Sequence, residues 1–71
     1  MTLTELRYIV ALAQENNFSR AAERCSVSQP TLSVAIARLE DELGVQLFER
    51  GKGFVSPSLV GSQVVAQAQT A

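Results

Sequence analysis

Seventy-one residues hold one small domain with one core, since domains usually run from ~50 to ~200 residues. The composition, 46% hydrophobic and 18% charged, is globular, and without a ~20-residue apolar run or a basic-then-apolar leader the expected location is the cytoplasm, with no membrane partner. A single cysteine excludes an internal disulfide, the absence of histidine removes the commonest general base and zinc ligand, and a net charge of -1 means that any nucleic-acid function must rest on how charge is distributed.

The first predicted element is a helix from Thr2 to about Gln14. Thr2 and Glu5 have the spacing of a capping box, and Leu3, Leu6, Ile9, Val10 and Ala13 recur at helical intervals. Glu15-Asn16-Asn17 breaks the pattern and Phe18 reads as an apolar plug. Ser19 is then the expected cap of a two-turn helix from Arg20 to about Arg24, with Ala21, Ala22 and Cys25 on its inner side. Cys25 reads as a small buried hydrophobe, slow toward thiol reagents, because no neighbouring group activates it.

Ser26-Val27-Ser28 is a turn. Ser28 caps a third helix from about Gln29 to Leu43, and Pro30 sits in its first turn, where a missing N–H is harmless. At ~100° per residue, Leu32, Ala35, Ile36, Leu39 and Leu43 form the core face. Pro30, Val34, Ala37 and Asp41 lie opposite, flanked by Thr31, Ser33 and Arg38. Gly44 ends the helix, and Val45, Leu47 and Phe48 are expected to reach the core. Leu47–Arg50 and Phe54–Ser56 read as the strands of a hairpin around the turn Gly51-Lys52-Gly53. Pro57 closes it. Ser58 caps a fourth helix whose apolar stripe is Leu59, Val60, Val64, Val65, Ala68 and Ala71, unfinished at the last residue, as expected of a helix that continues in a longer protein.

A short helix, a tight turn, a helix with a small weakly polar outer face and a hairpin together describe a mainly α winged helix-turn-helix: a three-helix core with a two-stranded wing over residues 1–57, then the start of a linker helix over residues 58–71. The major groove admits one helix, and short side chains let its backbone approach base edges. Gln29 can pair with adenine, while Thr31 and Ser33 can serve phosphates or bases. Val34 and Ala37 read either as contacts for thymine methyl groups or as ordinary exposed aliphatics. Arg50 and Lys52, at the wing tip, suit a minor groove or a phosphate, or simply solubility. Glu40-Asp41-Glu42 reads as a solvated acidic end facing away from DNA. The usable positive charge is Arg20, Arg38, Arg50 and Lys52, with Arg24 as a further candidate. That is thin for one module, so affinity should depend on two modules acting together.

The stretches Leu6-Arg7-Tyr8-Ile9-Val10-Ala11-Leu12-Ala13, Phe18-Ser19-Arg20-Ala21-Ala22, Val27-Ser28-Gln29-Pro30-Thr31-Leu32-Ser33, Leu39-Glu40-Asp41-Glu42-Leu43-Gly44-Val45 and Leu47-Phe48-Glu49-Arg50 resemble the N-terminal domain of LysR-type transcriptional regulators. The resemblance covers essentially the whole chain. The opening Thr2–Tyr8 and Glu23-Arg24-Cys25 further resemble the peroxide-sensing, OxyR-like branch. It implies a bacterial regulator that binds promoter DNA with the recognition helix in the major groove and the wing in the minor groove. It further implies dimerisation through the fourth helix, with a tetramer in the full-length protein, and an effector domain elsewhere that carries the sensing cysteines, so that Cys25 is not the sensor. Carried over to this sequence, the DNA contacts fall on Ser28, Gln29, Pro30, Thr31, Ser33, Val34, Arg38 and Arg50. The sequence departs from the pattern at Val34 and Ala37, where relatives often carry basic residues, and at Pro57, where they often carry leucine.

The expected partners are double-stranded DNA bearing an interrupted inverted repeat and a second copy of the chain through Val60, Val64 and Ala68. The alternative for that stripe is packing on the first helix. A protein-interaction module using Val34 and Ala37 is the competing function, favoured by the net negative charge. Gly51-Lys52-Gly53 is a turn and not a phosphate loop, and no paired carboxylates are in evidence. No enzyme activity, cofactor, metal or small-molecule ligand is therefore expected in this segment.

Overall fold

A computed structural model describes residues 1–51 and 54–70; Lys52 and Gly53 of the expected wing turn and Ala71 of the expected helical stripe lie outside the described residues. The order is α1 (Leu3–Glu15), α2 (Phe18–Arg24), α3 (Gln29–Leu43), β1 (Phe48–Gly51), β2 (Phe54–Pro57) and α4 (Leu59–Thr70). This is the winged helix-turn-helix architecture that the sequence predicts.

Local chemistry starts each helix. The capping box at α1 is reciprocal: the Glu5 N–H donates to Thr2 Oγ1 over 3.1 Å and the Thr2 N–H to Glu5 Oε1 over 2.7 Å. That backbone donor holds the Glu5 carboxyl below its ordinary range, aided by the Thr2 hydroxyl and by more distant positive charge including Arg38. Asn16, left-handed at φ 56°, ends α1. The cap of α2 is Asn17 and not Ser19: the extended backbone of Asn17 brings Oδ1 to 2.9 Å from the Arg20 N–H. Phe18 and Ser19 therefore belong to the first turn of the helix. Ser28 caps α3, Pro30 falls in its first turn, and Gly44 ends it at φ 69°.

The core joins Ile9 and Leu12 of α1, Ala21 and Ala22 of α2, and Leu32, Ile36 and Leu39 of α3. Leu47, Phe48 and Val55 enter it from the wing side. Three apolar residues stay out of the core, among them Leu43 and Val45, which were expected in it. Leu3 is 76% exposed because first-turn side chains tilt toward the helix N-terminus, beyond the packed layer. Leu43 and Val45 flank the Gly44 reversal, so the chain re-enters the core only at Leu47. Cys25 is half-buried rather than buried, at the C-cap of α2, where it lines a shallow groove with Leu3, Leu6, Val10 and Ala68.

The strands pair antiparallel, with Phe48 opposite Pro57, Glu49 opposite Ser56, Arg50 opposite Val55 and Gly51 opposite Phe54. Leu47 lies just before the ladder rather than in it. Its carbonyl accepts from the Ser58 N–H over 2.9 Å, Ser58 donates its hydroxyl to the Gln46 carbonyl, and Gly61 lies so close above Leu47 that a Cβ there would collide with that carbonyl oxygen. Ser58 Oγ also accepts from the Gly61 N–H over 3.0 Å, the expected cap. So seated, α4 packs along α1, with Val64 and Val65 half-buried against the core.

Candidate nucleic-acid interface

The turn between α2 and α3 is built by Ser26, left-handed at φ 59°, and by the Val27 N–H donating to the Ala22 carbonyl over 3.0 Å. It throws the N-terminal half of α3 outward. Gln29, Pro30, Thr31, Val34, Ala37 and Arg38 are all exposed, and Val34 is 56% exposed. The Ser28 hydroxyl accepts from the Thr31 N–H and lies 2.8 Å from Thr31 Oγ1, so both hydroxyls are oriented by the cap.

Two surfaces meet along α3. On one side Gln29 and Ser33 share a groove with Asn17, Phe18 and Ser19 of the α2 entry and with Arg50 and Phe54 of the wing. On the other, Pro30, Thr31, Val34 and Arg38 share a second groove with Tyr8. The sequence-predicted residues Gln29, Ser33 and Arg50 are thus brought together, and Pro30, Thr31, Val34 and Arg38 are contiguous beside them. Arg20 stands apart, in a depression with Glu15, Glu23 and Arg24. Arg24 is bound to Glu15 at 3.2 Å, the one ion pair among the described residues, which lowers its value as a free cation.

The acidic run at the end of α3 divides. Asp41 and Glu42 are exposed, but Glu40 is half-buried and Oε2 accepts from the Leu47 and Phe48 N–H groups at 2.7 and 3.1 Å. Glu40 is therefore a clamp on the root of the wing and not a solvated end. Asn16 is the second clamp: its Nδ2 donates to the Val55 carbonyl over 2.8 Å and its carbonyl accepts from the Val55 N–H over 3.2 Å. The Asn16 contact joins residues far apart in sequence, the Glu40 contact spans the Gly44 reversal, and neither leaves a periodic signal. Phe54, 56% exposed on β2, could have been found from strand alternation, since Val55 beside it is buried.

An α-helix is ~10–12 Å across and fits the ~12 Å major groove, so α3 can present amide, hydroxyl and methyl groups to base edges while Arg50 reaches the backbone or the minor groove. Among the described residues no three acidic or cysteine side chains are grouped to hold a metal, and no helix is long and apolar enough to cross a membrane.

Comparison with known families agrees with this geometry. Residues 3–62 match the model of the bacterial regulatory helix-turn-helix proteins of the lysR family, and the chain belongs to that family. Among individual relatives, it is 51% identical over 70 residues to the DNA-binding transcriptional dual regulator OxyR of Escherichia coli, a match spanning 99% of this chain and 23% of that protein. Full-length OxyR from Pseudomonas aeruginosa, solved as a cysteine variant, superposes with a TM-score of 0.90 at 68% identity over 99% of this chain and 24% of that one. The BenM DNA-binding domain, solved in complex with benA site 1 DNA, gives a TM-score of 0.92 at 41% identity, covering 99% and 79% of the two chains. The chain thus spans under a quarter of the full-length regulators it matches.

Proposed function

We propose that this chain is the promoter-DNA-binding segment of a LysR-type transcriptional regulator, residues 1–57 forming the DNA-reading unit and residues 58–71 opening the linker helix. The observation that carries this reading is the single groove that joins the exposed start of α3 to Arg50 of the wing, in a fold whose BenM counterpart was solved on DNA. Gln29, Pro30, Thr31, Ser33 and Val34 address the major groove. Ser28 orients them, Arg38 and Arg20 serve phosphates, and Arg50 with Lys52 addresses the minor groove.

The protein acts in the cytoplasm, its DNA-binding segments pairing as a dimer on an interrupted inverted repeat and the full-length chains assembling as a tetramer. Pairing runs through α4, where Val60 is 40% exposed and Val64 and Ala68 lie half-buried beside α1, shared between their own core and a second copy. The likeness to OxyR proteins over nearly the whole segment supports a peroxide-responsive regulator.

Selection from a randomised duplex library at two salt concentrations tests the reading. An enriched inverted repeat, bound more tightly at low salt through counterion release, is the expected result. Salt-independent binding, or no enrichment with the full-length protein, would turn the reading toward a protein-interaction surface at Val34 and Ala37.

A further inference from the structure

Arg50 does not hang free from the wing. It pairs across the ladder with Val55, and directly opposite residues share a face of the ribbon. Val55 is 6% exposed and faces the core, so the arginine side chain leaves on the helix side and lies over α2. Its guanidinium carbon sits 5.2 Å from the centroid of the Phe18 ring.

Both partners of that contact are held from outside it. Phe18 opens α2 immediately after its Asn17 cap and packs half-buried against the core, so the direction of its ring is set by the helix. Asn16, two residues earlier, grips Val55 through both hydrogen bonds described above, and Val55 is the cross-strand neighbour of Arg50. Among the described residues no carboxylate pairs with Arg50 and no side-chain hydrogen bond uses its donors. A ring attracts the guanidinium without consuming any of its five N–H groups, which stay available to phosphate or base edges.

We infer that Phe18 is a positioning residue for Arg50: its ring holds the wing guanidinium beside Gln29 and Ser33 before DNA arrives, so that less rotamer freedom is lost on binding. The inference rests on the DNA reading above. The test is a double-mutant cycle on the affinity of the protein for a duplex recovered by library selection, using F18L, F18Y, R50A and the F18L/R50A pair.

The expected loss for F18L is roughly two- to fivefold, the scale of an exposed cation–π contact. F18Y, which keeps the ring, should bind like the parent, and F18L should cost nothing further in the R50A background. The salt slope should be unchanged in F18L, where the charge remains, and fall by about one in R50A. Should F18L not fold at the assay temperature, F18M fills a similar volume without a ring face and takes its place.

Binding by F18L equal to that of the parent would overturn the inference. So would the same loss with and without Arg50, which would make Phe18 a packing residue only. If the parent protein selects no duplex, the DNA reading fails and this inference falls with it.

Discussion

The helix-turn-helix and the wing are held in different ways. In the former, each helix carries its own start signal within three residues, at Thr2, Asn17 and Ser28, and its apolar face packs on the other two. The wing is four paired positions long, too short to stand alone, and is tied by Glu40 at its root and Asn16 at Val55. The reading helix is thus formed by nearest-neighbour chemistry, whereas the position of Arg50 depends on polar contacts made across the fold.

The sharpest way to break this comparison is to damage both regions and ask whether they fail together. Ile36→Ala, in the shared core at 1% exposure, should cost about 2–5 kcal/mol and lower the melting temperature of the whole domain in one cooperative step. Gly61→Ala should follow: helix propensity would gain ~1 kcal/mol, but the new methyl meets the Leu47 backbone, and overpacking typically costs ~1–3 kcal/mol. If thermal unfolding shows Gly61→Ala to be stabilising, α4 is not seated on Leu47 as described.

Glu40→Ala leaves two partly buried N–H groups without their acceptor, at about 1–3 kcal/mol for an unsatisfied group. Amide exchange at Leu47 and Phe48 should quicken well before that of α1, with DNA affinity falling alongside. Uniform acceleration across all elements would erase the distinction between the two regions. Ser28→Ala should cost ~1 kcal/mol and loosen the start of α3 alone, seen as faster exchange at Thr31.

The smallest effect is a pH dependence. Because the Thr2 N–H holds the folded-state Glu5 carboxyl below its unfolded value, its contribution is present above the unfolded value of about 4.5 and is lost as pH falls through the lower folded value. The acid limb of the stability curve should therefore become slightly shallower in Glu5→Gln, measured by melting temperature between neutral and acidic pH.

The same division decides what was legible in advance. Helices α1 and α3 follow from apolar spacing and capping residues, and the exposed face of α3 from counting residues around it. Asn17 could have been recognised as the α2 cap, since it competes with Ser19 only by position. The Glu40 clamp is not legible in the sequence, because an acidic triplet at a helix end looks solvated unless the path of the following chain is known.

Local signals in the sequence alone determined the three core helices, the hairpin and the small outer face of α3, because capping, periodicity and turn chemistry act within a few residues. Tertiary structure alone decided that Leu3, Leu43 and Val45 stay outside the core, that Gly61 seats α4 on Leu47, and that Arg50 lies over Phe18. Each of these depends on where a distant backbone atom or ring ends up, which no spacing along the chain encodes.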